Sequence, residues 1–184
     1  MYRQNRQDDS IFDAYGYRFN VGIVLVNQQN QVFFARRIAA HNAWQLPQGG
    51  MRAGEDSEQS AKRELFEETG ISADAIEILA VSRDFYSYRL PSRYRRRKNF
   101  GIQCIGQRQL WYLIRYKAAS DREIAVDKVA HPEFDAWEWV DYWQPLDRVV
   151  HFKYEVYRGV LQEFAEVLGI VEPAPAMRIF PQKK

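Results

Sequence analysis

The sequence predicts an α/β fold on three observations: short β-rich apolar runs spread along the chain, one sharply capped helix between them, and an amphipathic helix near the end. Val21–Val26 and Gln31–Arg36 are apolar runs flanking the turn-like Asn27–Asn30, a hairpin pattern. The capped helix lies between Asp56, which can cap it together with Gln59 three residues on, and Gly70, placed where a left-handed residue stops a helix. Ala75–Val81 is again β-rich, and Cys104–Tyr116 has the aromatic and β-branched content of a long central strand. A last strand is expected at Ala136–Val140, after the turn His131–Asp135. Val156, Val160, Phe164 and Val167–Leu168 then recur at helical spacing, with Glu155, Arg158, Gln162 and Glu166 on the other faces. That stripe is expected to pack on the sheet as core rather than to hold a cofactor.

At 184 residues, with 46% hydrophobic and 15% aromatic residues, the chain is long and apolar enough for one domain with a real core. We expect that domain over 14–169, a flexible extension over 1–13, and a disordered basic tail over 170–184, where prolines break the pattern. The net charge of +2 is too small to diagnose nucleic-acid binding, so the distribution of charge carries the information. Cys104 is the single cysteine, which excludes an internal disulfide framework and fits a reducing compartment. The first ten residues lack an apolar core of the secretory kind, and no apolar run approaches the ~20 residues of a membrane span. The expectation is a cytoplasmic protein with no membrane association.

Chemistry concentrates in the stretch from Gly49 to Ile71. Its frame is Gly49, Glu55, then Arg63-Glu64-Leu65, Glu67-Glu68 and Gly70-Ile71. Glu64, Glu67 and Glu68 fall at i, i+3 and i+4, so three carboxylates share one helical face. Like charges so placed repel, and a hard, oxygen-seeking cation such as Mg²⁺ turns that cost into a binding site. Arg63 stands four residues before Glu67 and can orient it, while Ala61 and Leu65 supply apolar anchors. Gly49, Gly50 and Gly54 permit a tight loop whose amides can approach phosphates. The bland reading is a solvated acidic helix. Nine fixed positions at fixed spacing argue against it.

Other positions keep two readings. Arg36 and Arg37 close the second strand as edge charges or as phosphate contacts. Trp44 reads as core before ligand stacking. Six of the residues from Arg89 to Lys98 are basic, near Tyr86, Tyr88 and Tyr94. Such a run is a solvated loop, a charge balance for the acidic site, or a surface for single-stranded nucleic acid. Glu133 is a turn acid or a further metal ligand.

The frame resembles the Nudix box of hydrolases that cut nucleoside diphosphates linked to another group. Beyond it, GYR-x-NVGIV, ARR, W-Q-x-PQGG, YRLP, CIGQRQ-x-WY, PEFDAWEWV-x-YW and VVHFK-x-x-VYR resemble the bacterial RNA 5′-pyrophosphohydrolase branch, also known as dinucleoside polyphosphate hydrolases. The resemblance implies a Nudix fold, a mixed β-sheet sandwiched between α-helices. It implies Mg²⁺-dependent hydrolysis (Mn²⁺ as a substitute) of triphosphorylated RNA 5′ ends to monophosphates, which exposes transcripts to decay. It assigns the metals to Glu64, Glu67, Glu68 and Glu133 with the Gly49 carbonyl, and the phosphates to Arg37. Arg18, Tyr88, Val150, Phe152 and Lys153 would form the cleft for the first nucleotides, with Lys153 beside Phe152 suited to a phosphate and a stacked base. The general base stays open among Glu67, Glu68 and Glu133. Phe19, Leu46, Leu110, an apparently longer Ala39-Ala40-His41 loop and the long N-terminus depart from the branch pattern. A small nucleotide polyphosphate is the rival substrate, and a non-catalytic binding module the rival class. No protein partner is indicated.

Overall fold

The computed structural model describes residues 11–38, 43–95 and 103–172. Residues 1–10, 39–42, 96–102 and 173–184 lie outside that set, and with them the Ala39-Ala40-His41 departure, part of the basic run and most of the two expected terminal segments.

Strands β1 (Tyr17–Val26), β2 (Val32–Arg37), β3 (Trp44–Gln45), β4 (Gln48–Gly50), β5 (Ile76–Val81), β6 (Tyr86–Arg89), β7 (Gly106–Tyr116) and β8 (Phe134–Val140) form one mixed sheet. Its backbone order is β3-β2-β1-β7-β5, with β4 on β1, β6 on β7 and β8 on β2. β1 and β7 pair in parallel over their whole length, from Tyr17↔Gly106 to Val26↔Arg115, and the other pairs are antiparallel. Helices are α1 (Ser57–Thr69), the short α2 (Pro145–Arg148) and α3 (Tyr154–Leu168).

The alternation along β1 explains the layering, because side chains of a strand point to opposite faces in turn. Val24 and Val26 join Phe34, Trp111 and Leu113 in one core cluster, closed by Val156, Tyr157, Val160, Leu161 and Phe164 of α3. Val21, Ile23 and Leu25 join Phe33, Tyr112 and Ile114 in the other, closed by Ala61 and Leu65 of α1. A sheet between two helices follows, as expected.

The hairpin forms and then divides. Asn27 Oδ1 accepts from the amides of Gln29 and Gln31 at 3.0 and 2.9 Å, and Asn30 takes φ 60°, so the turn is built from asparagines. Yet β1 and β2 share only the Val26↔Val32 pair. Further back, β4 takes the edge of β1, pairing Gln48–Gly50 with Asn20–Gly22, while β2 pairs with β3 and β8. The split strand pair thus admits the loop that precedes α1.

Both helix ends of α1 behave as the sequence requires. Asp56 accepts from the Gln59 amide at 2.7 Å, the Gln59 side chain accepts from the Asp56 amide, and Gly70 closes the helix at φ 77°. Differences lie elsewhere. Tyr86–Arg89 pairs with β7 as a strand, and Tyr86 donates to Glu163 Oε2 at 2.9 Å, so it ties the sheet to α3. Ile11–Asp13 is bonded to β1 through Phe12↔Arg18 and Phe19 N–H to Ile11 O. In α3, Val156, Val160 and Phe164 are buried as expected, Tyr157, Leu161 and Ala165 widen the buried face, and Val167 is 53% exposed. The expectation placed Val167 on the core face. At 100° per residue Val167 falls between Val156 and Val160 in direction, so its exposure reflects its place in the last turn of α3 rather than the face it occupies.

Substitution should separate a buried helix position from an exposed one. Leu65→Ala empties a fully buried position and should cost about 3 kcal/mol, whereas Val167→Ala should stay within about 0.5 kcal/mol. Urea unfolding of the two variants checks this.

Candidate active site

The box loop and α1 are held together by one guanidinium. Arg63 grips Glu55 with two bonds of 2.7 Å, reaches Glu64 Oε1 at 2.7 Å and Glu67 Oε2 at 3.1 Å, and donates to the Gly50 carbonyl at 2.9 Å. The expected Arg63–Glu67 pair is therefore one part of a larger node. That node, led by the Arg63 hydrogen bond, draws the Glu55 carboxyl down to about 2.

Glu64, Glu67, Glu68 and Glu133 line one cavity of about 530 Å³. Glu67 is also held by Arg52 at 2.9 Å, and Glu133 lies 3.7 Å from Arg37. Among the described residues no three carboxylate, imidazole or thiolate groups close on one point. Each carboxylate is drawn toward a cation of the protein or an amide instead. Glu68 is the exception in kind: it is buried, one oxygen accepts from the Gln48 amide at 3.0 Å, and Oε1 has no hydrogen-bond partner. Burial first, then the charge of Glu133, holds its carboxyl well above the usual range. A buried, orphaned carboxylate oxygen beside three further carboxylates fits a hard divalent cation. Gly49 belongs to the same arrangement. Its missing side chain is required, because a Cβ there would lie 1.8 Å from Glu64 Cδ.

A second cavity, about 200 Å³, lies on the other side of Arg37 and Gln48. Tyr88, Val150, Phe152, Lys153 and Arg37, all expected in the nucleotide cleft, line it together with Trp44, Tyr94, Gln45, Gln48 and Gln107. Arg18 is not among the lining residues. It lies across Gly50, where a Cβ would meet its Nη2 at 2.0 Å, so it accompanies the box loop.

The geometry changes the picture of two cleft residues. Tyr88 is only 6% exposed, its hydroxyl bonded to Gln107, so it backs Phe152 at 5.7 Å rather than offering its own face. Phe152 and the half-exposed Tyr94, 6.0 Å apart, are the rings a base can reach. Lys153 was expected as a phosphate contact, yet its ammonium is buried, donating to Gln48 Oε1 at 2.8 Å and Gln45 Oε1 at 3.2 Å. Burial, aided by Arg37, pushes it down to about 7, so it is a hydrogen-bond donor of the floor rather than a fixed counter-charge. Trp44 stacks on Phe34 at 5.9 Å and also lines this cavity, serving core and cleft together.

The two arginines of β2 separate cleanly. A register shift leaves Asp135 outside the β2–β8 ladder, where it pairs with Arg36 at 2.7 Å as an edge contact. Arg37 turns to Glu133 and the cleft. Sequence reading missed Gln45, Gln48 and Gln107 altogether. The polar run Gln107-Arg108-Gln109 at the start of an otherwise largely apolar strand was the available signal.

Comparison with known proteins fixes the class. A model of the NUDIX domain matches residues 16–160, and the chain belongs to the Nudix family, whose members with this site are hydrolases of pyrophosphate bonds. Its curated relatives are named RNA pyrophosphohydrolase. One from Methylococcus capsulatus is 46% identical over 169 residues, covering 92% of this chain and 87% of that one. Another, from Psychrobacter cryohalolentis, is 48% identical over 160 residues, covering 87% and 91%. Among solved structures, the E. coli dihydroneopterin triphosphate pyrophosphohydrolase superposes with a TM-score of 0.63 at 19% identity, over 82% of this chain and 95% of that one. A C. elegans Ap4A hydrolase complex gives 0.58 at 16%, over 82% and 98%. At such identities these two show the fold.

The Arg63 node makes the fold acid-sensitive in a defined window. Glu55 ionises at about 2 in the folded chain against an ordinary 4.5, so its stabilisation is complete above 4.5 and lost as pH falls toward 2. Glu55→Gln should flatten the stability profile across that window, measured by urea unfolding at stepped pH.

Proposed function

We propose that the protein is a cytoplasmic RNA 5′-pyrophosphohydrolase, converting 5′-triphosphorylated RNA ends to 5′-monophosphates with Mg²⁺ or Mn²⁺ and so exposing transcripts to decay. The observation that carries this is the adjacency of two different cavities, one acidic and suited to a metal–anhydride complex, one aromatic with an amide floor. Relatives named RNA pyrophosphohydrolase at 46–48% identity support it.

Glu64, Glu67, Glu68 and Glu133, with the Gly49 carbonyl, would hold the cation. Bound there, it neutralises phosphate charge and acidifies an attacking water. The chain's own residues do the rest. Arg63 fixes the directions of Glu64 and Glu67, and the Gln48 amide fixes Glu68. Arg37, between the cavities, faces the phosphates, while Glu67, Glu68 and Glu133 surround the reacting end with proton acceptors. Phe152 and Tyr94 stack a base, and Val150 closes the cleft. Among the described residues no helix is long and apolar enough to cross a membrane.

Glu68→Gln should lower turnover at least ~10²-fold while circular dichroism stays unchanged. Because the free Glu68 carboxyl holds its proton above the usual range, and a metal ligand must release it, Mg²⁺ affinity should rise with pH, which calorimetric titration at several pH values reads.

The substrate itself is tested with one RNA bearing a triphosphate on a single-stranded or a fully paired 5′ end, beside ATP and a diadenosine polyphosphate. A duplex keeps its bases stacked and withholds them from Phe152, so the unpaired end should be cut faster than the paired end. Phe152→Ala should narrow the advantage over ATP by about tenfold, the scale of one lost stacking contact. Equal rates on both ends, or higher kcat/KM on the small nucleotides, would replace RNA with a nucleotide polyphosphate as substrate.

A further inference from the structure

The acidic cavity has a second wall that the reading above leaves without a task. Opposite α1, Lys128 and His131 line it from the segment between β7 and β8. That segment is anchored at both ends: the Ala125 amide donates to Thr69 O at the end of α1 at 2.8 Å, Ile124 and Val126 are buried, and the Ile38 amide donates to Glu133 O at 2.9 Å. The wall therefore has a defined position. Neither the Lys128 ammonium nor the His131 imidazole has a hydrogen-bond or ion-pair partner among the described residues, although five glutamates, Glu123 of the same segment among them, line the same cavity. Arg52, the remaining cation there, is already taken by Glu67.

We propose that Lys128 and His131 form a subsite for the pyrophosphoryl group, holding the two distal phosphates before cleavage and the pyrophosphate after it. This rests on the reading of the protein as a hydrolase of 5′ polyphosphate ends. Among the described residues, the two cavities are linked where Arg37 approaches Glu133 and the Gln48 amide meets Glu68. A chain end whose first bases sit against Phe152 must pass its phosphates through that junction. The distal phosphates then extend along the acidic cavity to its far wall. Cleavage breaks one anhydride bond, water supplying oxygen to one side and its proton passing to a carboxylate. The leaving pyrophosphate carries more negative charge than when esterified, and glutamates alone would repel it. Two uncommitted donors on the opposite wall supply the attraction.

The probe is inorganic pyrophosphate, titrated calorimetrically in Mg²⁺ into the wild-type chain, Lys128→Gln, His131→Gln and the double variant. Both positions are exposed, so the variants should fold, and Lys128→Arg should retain binding. The double variant should bind pyrophosphate about tenfold more weakly and lose a similar factor in its kcat/KM ratio for triphosphate over diphosphate ends of one RNA, with affinity for the monophosphorylated RNA unmoved. Unchanged pyrophosphate affinity, or equal losses on both ends, overturns the subsite. If the wild-type chain refused RNA but cut small nucleotides, the pyrophosphate titration would still read the wall, so the two failures are distinct.

Discussion

The site depends on the contacts of a single side chain, Arg63. Its guanidinium joins the loop before α1, through Glu55 and the Gly50 carbonyl, to the face of α1 that carries Glu64 and Glu67. Only the planar fork of an arginine reaches partners in so many directions at once, and a lysine would leave several acceptors unmet. Three carboxylates on one turn would otherwise splay apart. Here two of them are held in place by a cation that belongs to the protein.

The fold supplies the other half of this geometry by dividing a hairpin. β1 and β2 part after one pair, and β4 fills the gap on β1. That insertion sets Gly49 against Glu64 so closely that no side chain fits, and it gives the Gln48 amide to Glu68. The same residue sends its side chain to Lys153, Gln107 and Gln109 beneath the aromatic cleft. Gln48 is thus the thin wall between two cavities, with its backbone on the acidic side and its side chain on the aromatic side.

How much of this was legible in the sequence follows from the range of the forces involved. The capping box, the stop at Gly70 and the shared face of the carboxylates are local, and local spacing reveals them. The long β7 and the layering by α1 and α3 were legible as well, whereas most cleft residues were named only through the family resemblance. Three features were not legible. The division of the hairpin is a competition between distant strands for one edge of β1. The burial of Lys153 depends on Gln45 and Gln48, more than a hundred residues away in sequence. The β-bulge that separates Arg36 from Arg37 is set by β8, so adjacent arginines with the same local context acquire different partners.

The acidic cavity mixes charges of both signs: Arg52 lines it with the glutamates of α1, and Glu123 and Glu133 accompany Lys128 and His131. Glu68 is costly to ionise where it lies, since burial and Glu133 both oppose it, and that cost falls away when a divalent ion binds. Lys153 is likewise costly to charge, so the floor of the cleft can donate hydrogen bonds without adding a fixed charge next to Arg37. Arg37 lies at the junction and Lys128 lines the acidic cavity, both on the path proposed for the phosphates. On the proposed path, a polyphosphate end would meet attraction at the junction and again at Lys128 and His131. The carboxylates by themselves would repel it, so the order of the charges along the path favours a substrate that arrives together with its metal.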